Sequence, residues 1–428
     1  MQLLLLASVV LLFGGSANAL TLFGIGYFSP TSGLLEKIHP TFYLAVVAAG
    51  AALLNRSPAD ITPGPMPLAA GRQLAVVAGA LGLSLVAGFE AGGGELSILV
   101  VTFALPAVLA IALRSAAPDT TEAMDRFLQL FFAANSLLAL FEAATGQRLL
   151  PFVAGTHLID FDNRPTALLG HPLNNGLMTG VFILAIMMRD RRARPSVLPV
   201  LMLVLHAAAM LSFGARAAVG GLLALLALRL LVATGTALVK GQGRRDFLRF
   251  GAFAIALLVA SPVLLHLGVA DVLIERISDA GGSNETRYAA FQMIASVSLS
   301  ELMLGTSFFV REDMMLFFDS PYGIELSWIG LALTFGVPAA FALIVSTHAL
   351  LLSAGRSSAT SSAFIVLYFA LVTFTSVSIS SKSLLTSQCL VVLAVLMEKQ
   401  AAPVARRPAQ RGDALPRRWP RPSSRLPV

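Results

Sequence analysis

The stretch Met210-Leu-Ser-Phe-Gly-Ala-Arg-Ala-Ala-Val-Gly-Gly-Leu-Leu-Ala-Leu-Leu-Ala-Leu228 decides how the chain is read. It is apolar on both sides of one full charge, Arg216. At the centre of a bilayer such a charge costs roughly 2.5–3.5 kcal/mol on insertion scales, so it belongs where it reaches water, a partner or a ligand. Gly214, Ala215, Ala217, Ala218, Gly220 and Gly221 surround it. Small residues let neighbouring helices or a bulky ligand approach the backbone. Two readings follow: an arginine that ends a helix and snorkels to the headgroups, or one that meets a ligand.

The rest of the chain has the same character. Of 428 residues, 56% are hydrophobic and 12% charged, and the mean hydropathy is +0.80. Soluble domains carry about 25% charged residues. This composition indicates an all-α polytopic membrane protein. The net charge of +7 sits largely in short loops and in the tail, where it sets orientation; nucleic acid is not an expected partner. Cys389 is the one cysteine and can form no intrachain disulfide. No Cys/His cluster has metal-ligand spacing, and no phosphate-cradling loop is present, so no metal or cofactor is expected.

A spanning helix needs about 20 mostly apolar residues. Such runs lie at about 2–24, 40–54, 71–89, 95–113, 126–145, 166–188, 196–213, 217–235, 249–269, 325–352, 361–378 and 383–398. They predict about twelve spans, the tenth long enough to tilt. Residues 1–398 then form the membrane domain, and 399–428, rich in Pro and Arg, a disordered basic tail. Basic groups at Arg189–Arg194, Lys240–Arg249, Arg356 and the tail fall on one side if the spans alternate. Positive residues prefer the cytoplasm, so both ends are expected there. The loops at about 25–39, 146–165 and 270–324 face outward. Ala17-Asn18-Ala19 resembles a signal-peptidase site, but no Lys or Arg precedes the apolar run, which favours an uncleaved helix.

The loop 270–324 is the longest, with a break at Gly281-Gly282. An amphipathic helix is expected from about Glu285 to Ser298, on the membrane surface. Asn284-Glu285-Thr286 matches a glycosylation sequon, a weak signal. The sixth span opens with Arg164-Pro-Thr-Ala-Leu-Leu-Gly-His171-Pro-Leu-Asn174-Asn175, polar groups that either pair in a helix kink or line a wet cavity. His206 reads as a satisfied packing residue. By this topology Arg164, Arg216, Arg276, Arg287, Arg311 and Lys382 all face outward. Arginine forks bind phosphate bidentately, so an outward cationic site suits a lipid-linked phosphate or pyrophosphate held at the leaflet; an ion or substrate pathway would also use such charges. No acidic residue lies well inside a span to couple transport to protons or sodium; Glu90 and Glu142 lie near span ends.

Three elements in order carry a family resemblance. An apolar span ends in Leu211-Ser-Phe-Gly-Ala-Arg216. A long loop holds Glu275-Arg-Ile-Ser-Asp, Asn284-Glu-Thr-Arg287-Tyr-Ala-Ala-Phe-Gln-Met-Ile and Leu302-Met-Leu-Gly305-Thr. A span then opens at Gly323-Ile-Glu325-Leu-Ser-Trp, with Gly336 eleven residues after Glu325. With the Gly-His171-Pro-Leu-Asn-Asn stretch, this resembles the bacterial O-antigen ligase and polymerase family over about 160–345. The resemblance implies a GT-C-like helical fold of the inner membrane with one long periplasmic loop. It also implies metal-independent, cofactor-free glycosyl transfer from an undecaprenyl-pyrophosphate-linked glycan. Other polysaccharide export or chain-length proteins are the implied partners.

Ligases of that family carry a His-Asn pair where this chain has Glu325-Leu326, which argues for the polymerase side. A ligase acting on another acceptor is the alternative enzyme, and a flippase for lipid-linked oligosaccharides the alternative of another class. Guanidiniums stabilise a pyrophosphate leaving group without a metal, and a carboxylate can act as general base toward a sugar hydroxyl. Glu325, Arg216 and Arg287 are the expected catalytic residues. Arg164, His171, Asn174, Asn175, Arg276, Arg311 and Lys382 are the expected substrate contacts.

Overall fold

A computed structural model describes residues 1–27, 29, 32–55, 64–86, 94–154, 157–159, 163–189, 197–240, 244–266, 268–278, 281–320, 323–355 and 359–397. The tail 399–428, Arg191, Arg192, Arg194 and Arg356, on which the orientation argument draws, lie outside them.

Helices make up the fold. In order they are α1 (Gln2–Gly14), α2 (Ala17–Leu22), α3 (Leu34–Lys37), α4 (Pro40–Leu54), α5 (Pro65–Val86) and α6 (Gly94–Ile98). A π-helical turn, Leu99–Ala104, leads into α7 (Leu105–Leu113), followed by α8 (Pro118–Thr145), α9 (Pro172–Met188), α10 (Val197–Ser212), α11 (Arg216–Lys240) and α12 (Arg244–His266). Then come α13 (Asp271–Ser278), α14 (Gly281–Ser296), α15 (Leu299–Leu304), α16 (Phe308–Phe317), α17 (Ser327–Phe335), α18 (Val337–Ala354), α19 (Ala359–Phe374) and α20 (Leu385–Leu396). A two-residue antiparallel pair, β1 (Val153–Ala154) with β2 (His157–Leu158), lies between α8 and α9.

Among the described residues, five helices are long and apolar enough to cross a membrane: Pro65–Leu85, Glu95–Leu113, Pro118–Thr145, Arg216–Thr236 and Val337–Ala354. Six more are apolar but only 10–17 residues long. Exposed Leu54, Leu130, Leu231, Leu258 and Val259 mark faces that water would not tolerate as a continuous surface. This is a helical membrane protein. The bundle's centre is α9 and α20, buried almost all round, as expected for helices apolar on every face. Phe13 on α1 meets Phe127, Phe131 and Phe132 on α8 edge-on, and Phe132 stacks on Phe182 of α9 at 4.1 Å.

The expected boundaries need four corrections. The run 2–24 divides at Gly15–Ser16 into α1 and α2, Ser16 capping the second. The sixth span does not begin at 166: residues 167–170 form a turn, and His171 caps α9 by accepting from Leu173 N through Nδ1. Pro172 at the first helical position has no N–H to leave unsatisfied. Among the described residues the loop 270–324 contains four helices, and α14 opens at the Gly281-Gly282 pair instead of breaking there.

The tenth span is not one tilted helix. Gly336, at φ 81, divides α17 from α18. A Cβ at Gly336 would collide with Met303 O and come within 3.0 Å of Leu304 C. Gly305 faces it at φ 94 and approaches Thr334 O almost as closely. Thr306 donates from N and Oγ1 to Leu333 O at 2.7 and 2.9 Å, taking up one of the carbonyls freed at the end of α17. The α15–α16 segment is therefore jointed into the helix break.

Candidate active site

The expected site residues fall into separate places. The best-formed is the turn between α10 and α11. Gly214, buried and at φ 60, makes the turn that glycine alone adopts without strain. A Cβ there would meet Val272 Cγ1 at 2.9 Å, Arg164 Cδ at 3.3 Å and Arg276 Cδ at 3.4 Å. Two distant arginines thus pack on the residue that opens the Arg216 turn. Arg216 is the first residue of α11, and its Nη1 donates to Arg276 O. A helix N-terminus and three arginines converge here, an arrangement suited to an anion.

The arginines are held from behind. Arg164 lies over the Phe152 ring at 5.7 Å and Arg148 at 5.9 Å, while His171 meets the same ring edge-on at 4.9 Å. Arg148 donates to Arg164 O and Ile159 O, both at 3.2 Å. A cavity of about 320 Å³ adjoins the turn, lined by Arg148, Asn163, Ser212 and Val272 among others.

Buried Glu142, near the end of α8, fixes the segment that carries these groups. It accepts from Leu149 N at 2.9 Å and from Thr166 N and Ala167 N, both at 2.8 Å. Asn135 accepts from Leu168 N at 2.9 Å, and Asn18 donates to Pro151 O and Gly170 O at 2.7 and 2.6 Å. Those bonds hold Ala167 at φ 41, a conformation that costs a non-glycine residue about 1 kcal/mol or more. Asn175 is internal to this scaffold, donating to Thr166 O at 2.6 Å and His171 O at 3.0 Å. Asn174 beside it is half-buried.

The second place is the meeting of α14 with the segment before α17. Arg287 Nε and Glu325 Oε2 are 3.7 Å apart, with side chains 37% and 35% exposed. This is an ion-pair distance beyond hydrogen-bond contact. Two residues singled out as catalytic, 38 positions apart, are brought together here.

Arg311 and Lys382 are committed elsewhere. Arg311 is buried, paired with Glu95 and donating to Thr306 O at 2.6 Å. It ties α16 to the start of α6. Lys382 Nζ donates to Tyr27 O and to Lys37 O, and lies 3.6 Å from the Tyr27 ring centroid. Burial pushes its ammonium down to about 7, and repulsion from Lys37 adds to that.

Sequence reading missed Arg148, Phe152, the anchoring role of Glu142, and Arg229, which lies 5.6 Å from the Phe364 ring in mid-α11. Arg148 had a signal, a charge in a loop already assigned to the arginine side. Phe152 had none. His206 is the packing residue expected, bonded to Ser136 at 2.8 Å and edge-on to Phe182. Among the described residues no group of three His, Cys, Asp or Glu could hold a metal ion. No protein-family model, curated protein or solved structure matches the chain.

Proposed function

We propose that this protein is a polysaccharide polymerase of the bacterial inner membrane. It crosses the bilayer twelve times and joins lipid-linked repeat units on the periplasmic face, with the growing chain as donor. The observation that carries the reading is the Arg287–Glu325 pair, a guanidinium and a carboxylate 3.7 Å apart, each side chain partly exposed.

The reaction breaks the bond between the donor sugar's anomeric carbon and the pyrophosphate oxygen. It forms a bond from that carbon to an acceptor hydroxyl. Negative charge grows on the pyrophosphate as it leaves, and Arg216 and Arg287 offset it without a metal. The hydroxyl proton passes to Glu325 as general base. Arg164 and Arg276, packed on Gly214, add to the positive field at Arg216. His171 and Asn175 support the segment that carries Arg164, with Asn174 beside them, whereas Arg311 and Lys382 are tied to other partners.

Glu325→Gln keeps the shape and removes the base. With purified enzyme and lipid-linked repeat unit, it should lose about 10²–10⁴-fold in rate while still binding the donor. Arg216→Ala and Arg287→Ala should abolish polymer at unchanged protein level, and Arg216→Lys should recover only part, since the fork is lost. Wild-type polymerisation by the Gln variant would overturn the assignment of Glu325.

A further inference from the structure

The Arg287–Glu325 pair has a neighbour one rung away. Arg287 and Phe291 are four residues apart on α14, on one face and about 6 Å apart along the axis. Glu325 and Trp328 are three apart at the entry to α17. The same two segments meet a second time through these residues, the Phe291 and Trp328 rings lying 6.0 Å apart at 63°. The rings are open: Phe291 is 49% exposed and Trp328 39%, with Tyr288 at 65% beside Arg287. Below them the ledge is firm, because Ala290, Met293, Ile329 and Leu333 form a small buried core of their own.

We propose that Phe291 and Trp328 form a stacking ledge for a pyranose ring of the acceptor glycan, beside the pair that performs the transfer. The proposal rests on the polymerase reading. A sugar ring presents C–H groups on its faces and hydroxyls around its edge. The C–H groups complement the electron-rich face of an aromatic ring, while the hydroxyls need polar partners, which Arg287 and Glu325 supply one turn away. A lipid chain would occupy the rings but gain nothing from the charged pair. The ledge sets which acceptor ring sits over Glu325, and so which hydroxyl is glycosylated.

The sequence has two tryptophans, and the second, Trp419, lies in the tail. Trp419→Phe therefore leaves Trp328 as sole reporter in the full-length protein, reconstituted in nanodiscs. Oligosaccharide released from the producing cell's polysaccharide should change Trp328 emission saturably. Phosphatidylcholine brominated in its acyl chains should leave that emission largely unquenched. With lipid-linked repeat unit as substrate, Trp328→Ala should raise KM about tenfold with kcat within about twofold, and Trp328→Phe should restore most of the loss. Strong quenching by brominated lipid with no response to oligosaccharide would overturn the ledge, as would an unchanged KM in the Ala variant. Either result beside an inactive Glu325→Gln enzyme would leave the polymerase reading standing. No polymer from the unmodified protein supplied with lipid-linked repeat unit would remove that reading, and the titration would still judge the ledge.

Discussion

Lys382 ends where a full charge is expensive. Its Nζ is enclosed by two carbonyls and the Tyr27 ring, and its pKa falls from the usual 10.5 to about 7. Below about 7 both folded and unfolded chains hold the proton, and burial of the charge is opposed in full. Between about 7 and 10.5 only the unfolded chain holds it, so stability should rise with pH across that window. Thermal unfolding of the purified protein from pH 7 to pH 10 should show the rise, and Lys382→Met should reduce it. Equal slopes in the two proteins would refute the assignment. Glu142 shows the limit of sequence reading at this scale. It was recognisable as a carboxylate near a span end. Its partners, the backbone N–H groups of Thr166 and Ala167 more than twenty residues away, carry no side-chain signature, and the turn they fix reads in the sequence as the start of a helix.

The joint between α17 and α18 is the element most poorly served by hydropathy. An apolar run containing a glycine looks the same whether the glycine packs against a neighbouring helix or carries a positive φ. The run 325–352 therefore reads as one long span, and the segment Leu299–Thr306 docked into its break is invisible. Gly336→Ala should destabilise the protein by about 2 kcal/mol or more, combining backbone strain with a collision against Met303 O. Gly79, inside α5, has open space where a Cβ would stand and should respond oppositely, Gly79→Ala gaining about 0.5–1 kcal/mol. Unfolding temperatures of the two variants with opposite signs would bear this out. Equal, small shifts would show that the joint is soft. The α10–α11 turn, by contrast, is placed correctly from sequence, because Arg216 interrupts the apolar run at the break itself.

At the scale of the whole molecule, five of the described helices are long and apolar enough to cross a membrane and six more are apolar but shorter, a pattern legible in the sequence because bulk hydropathy needs no tertiary information. Their number as membrane crossings is a matter of topology. Reporter fusions after Arg194, after Lys240 and in the tail should read cytoplasmic, and one near Ser283 periplasmic. A cytoplasmic signal at Ser283 would reverse the orientation and with it the placement of the arginines. The site was legible as a list of residue types and only partly as a place. Arg287 with Glu325, and Arg164, Arg216 and Arg276 about one turn, stand out by charge and order along the chain. Arg311 stands out on the same grounds and is occupied by Glu95, a pairing across 216 residues that no local pattern announces.

One bond joins helices made far apart in time: Gln388 on α20 donates to Leu12 O on α1 at 3.0 Å, across 376 residues. A ribosome builds the acceptor long before the donor. Once α1 has left the tunnel it must wait in the membrane, that carbonyl unsealed, while nearly all the other helices arrive. A chain released before Gln388 is made can still pack α1 on α8 through Phe13, but lacks the bond that closes this carbonyl.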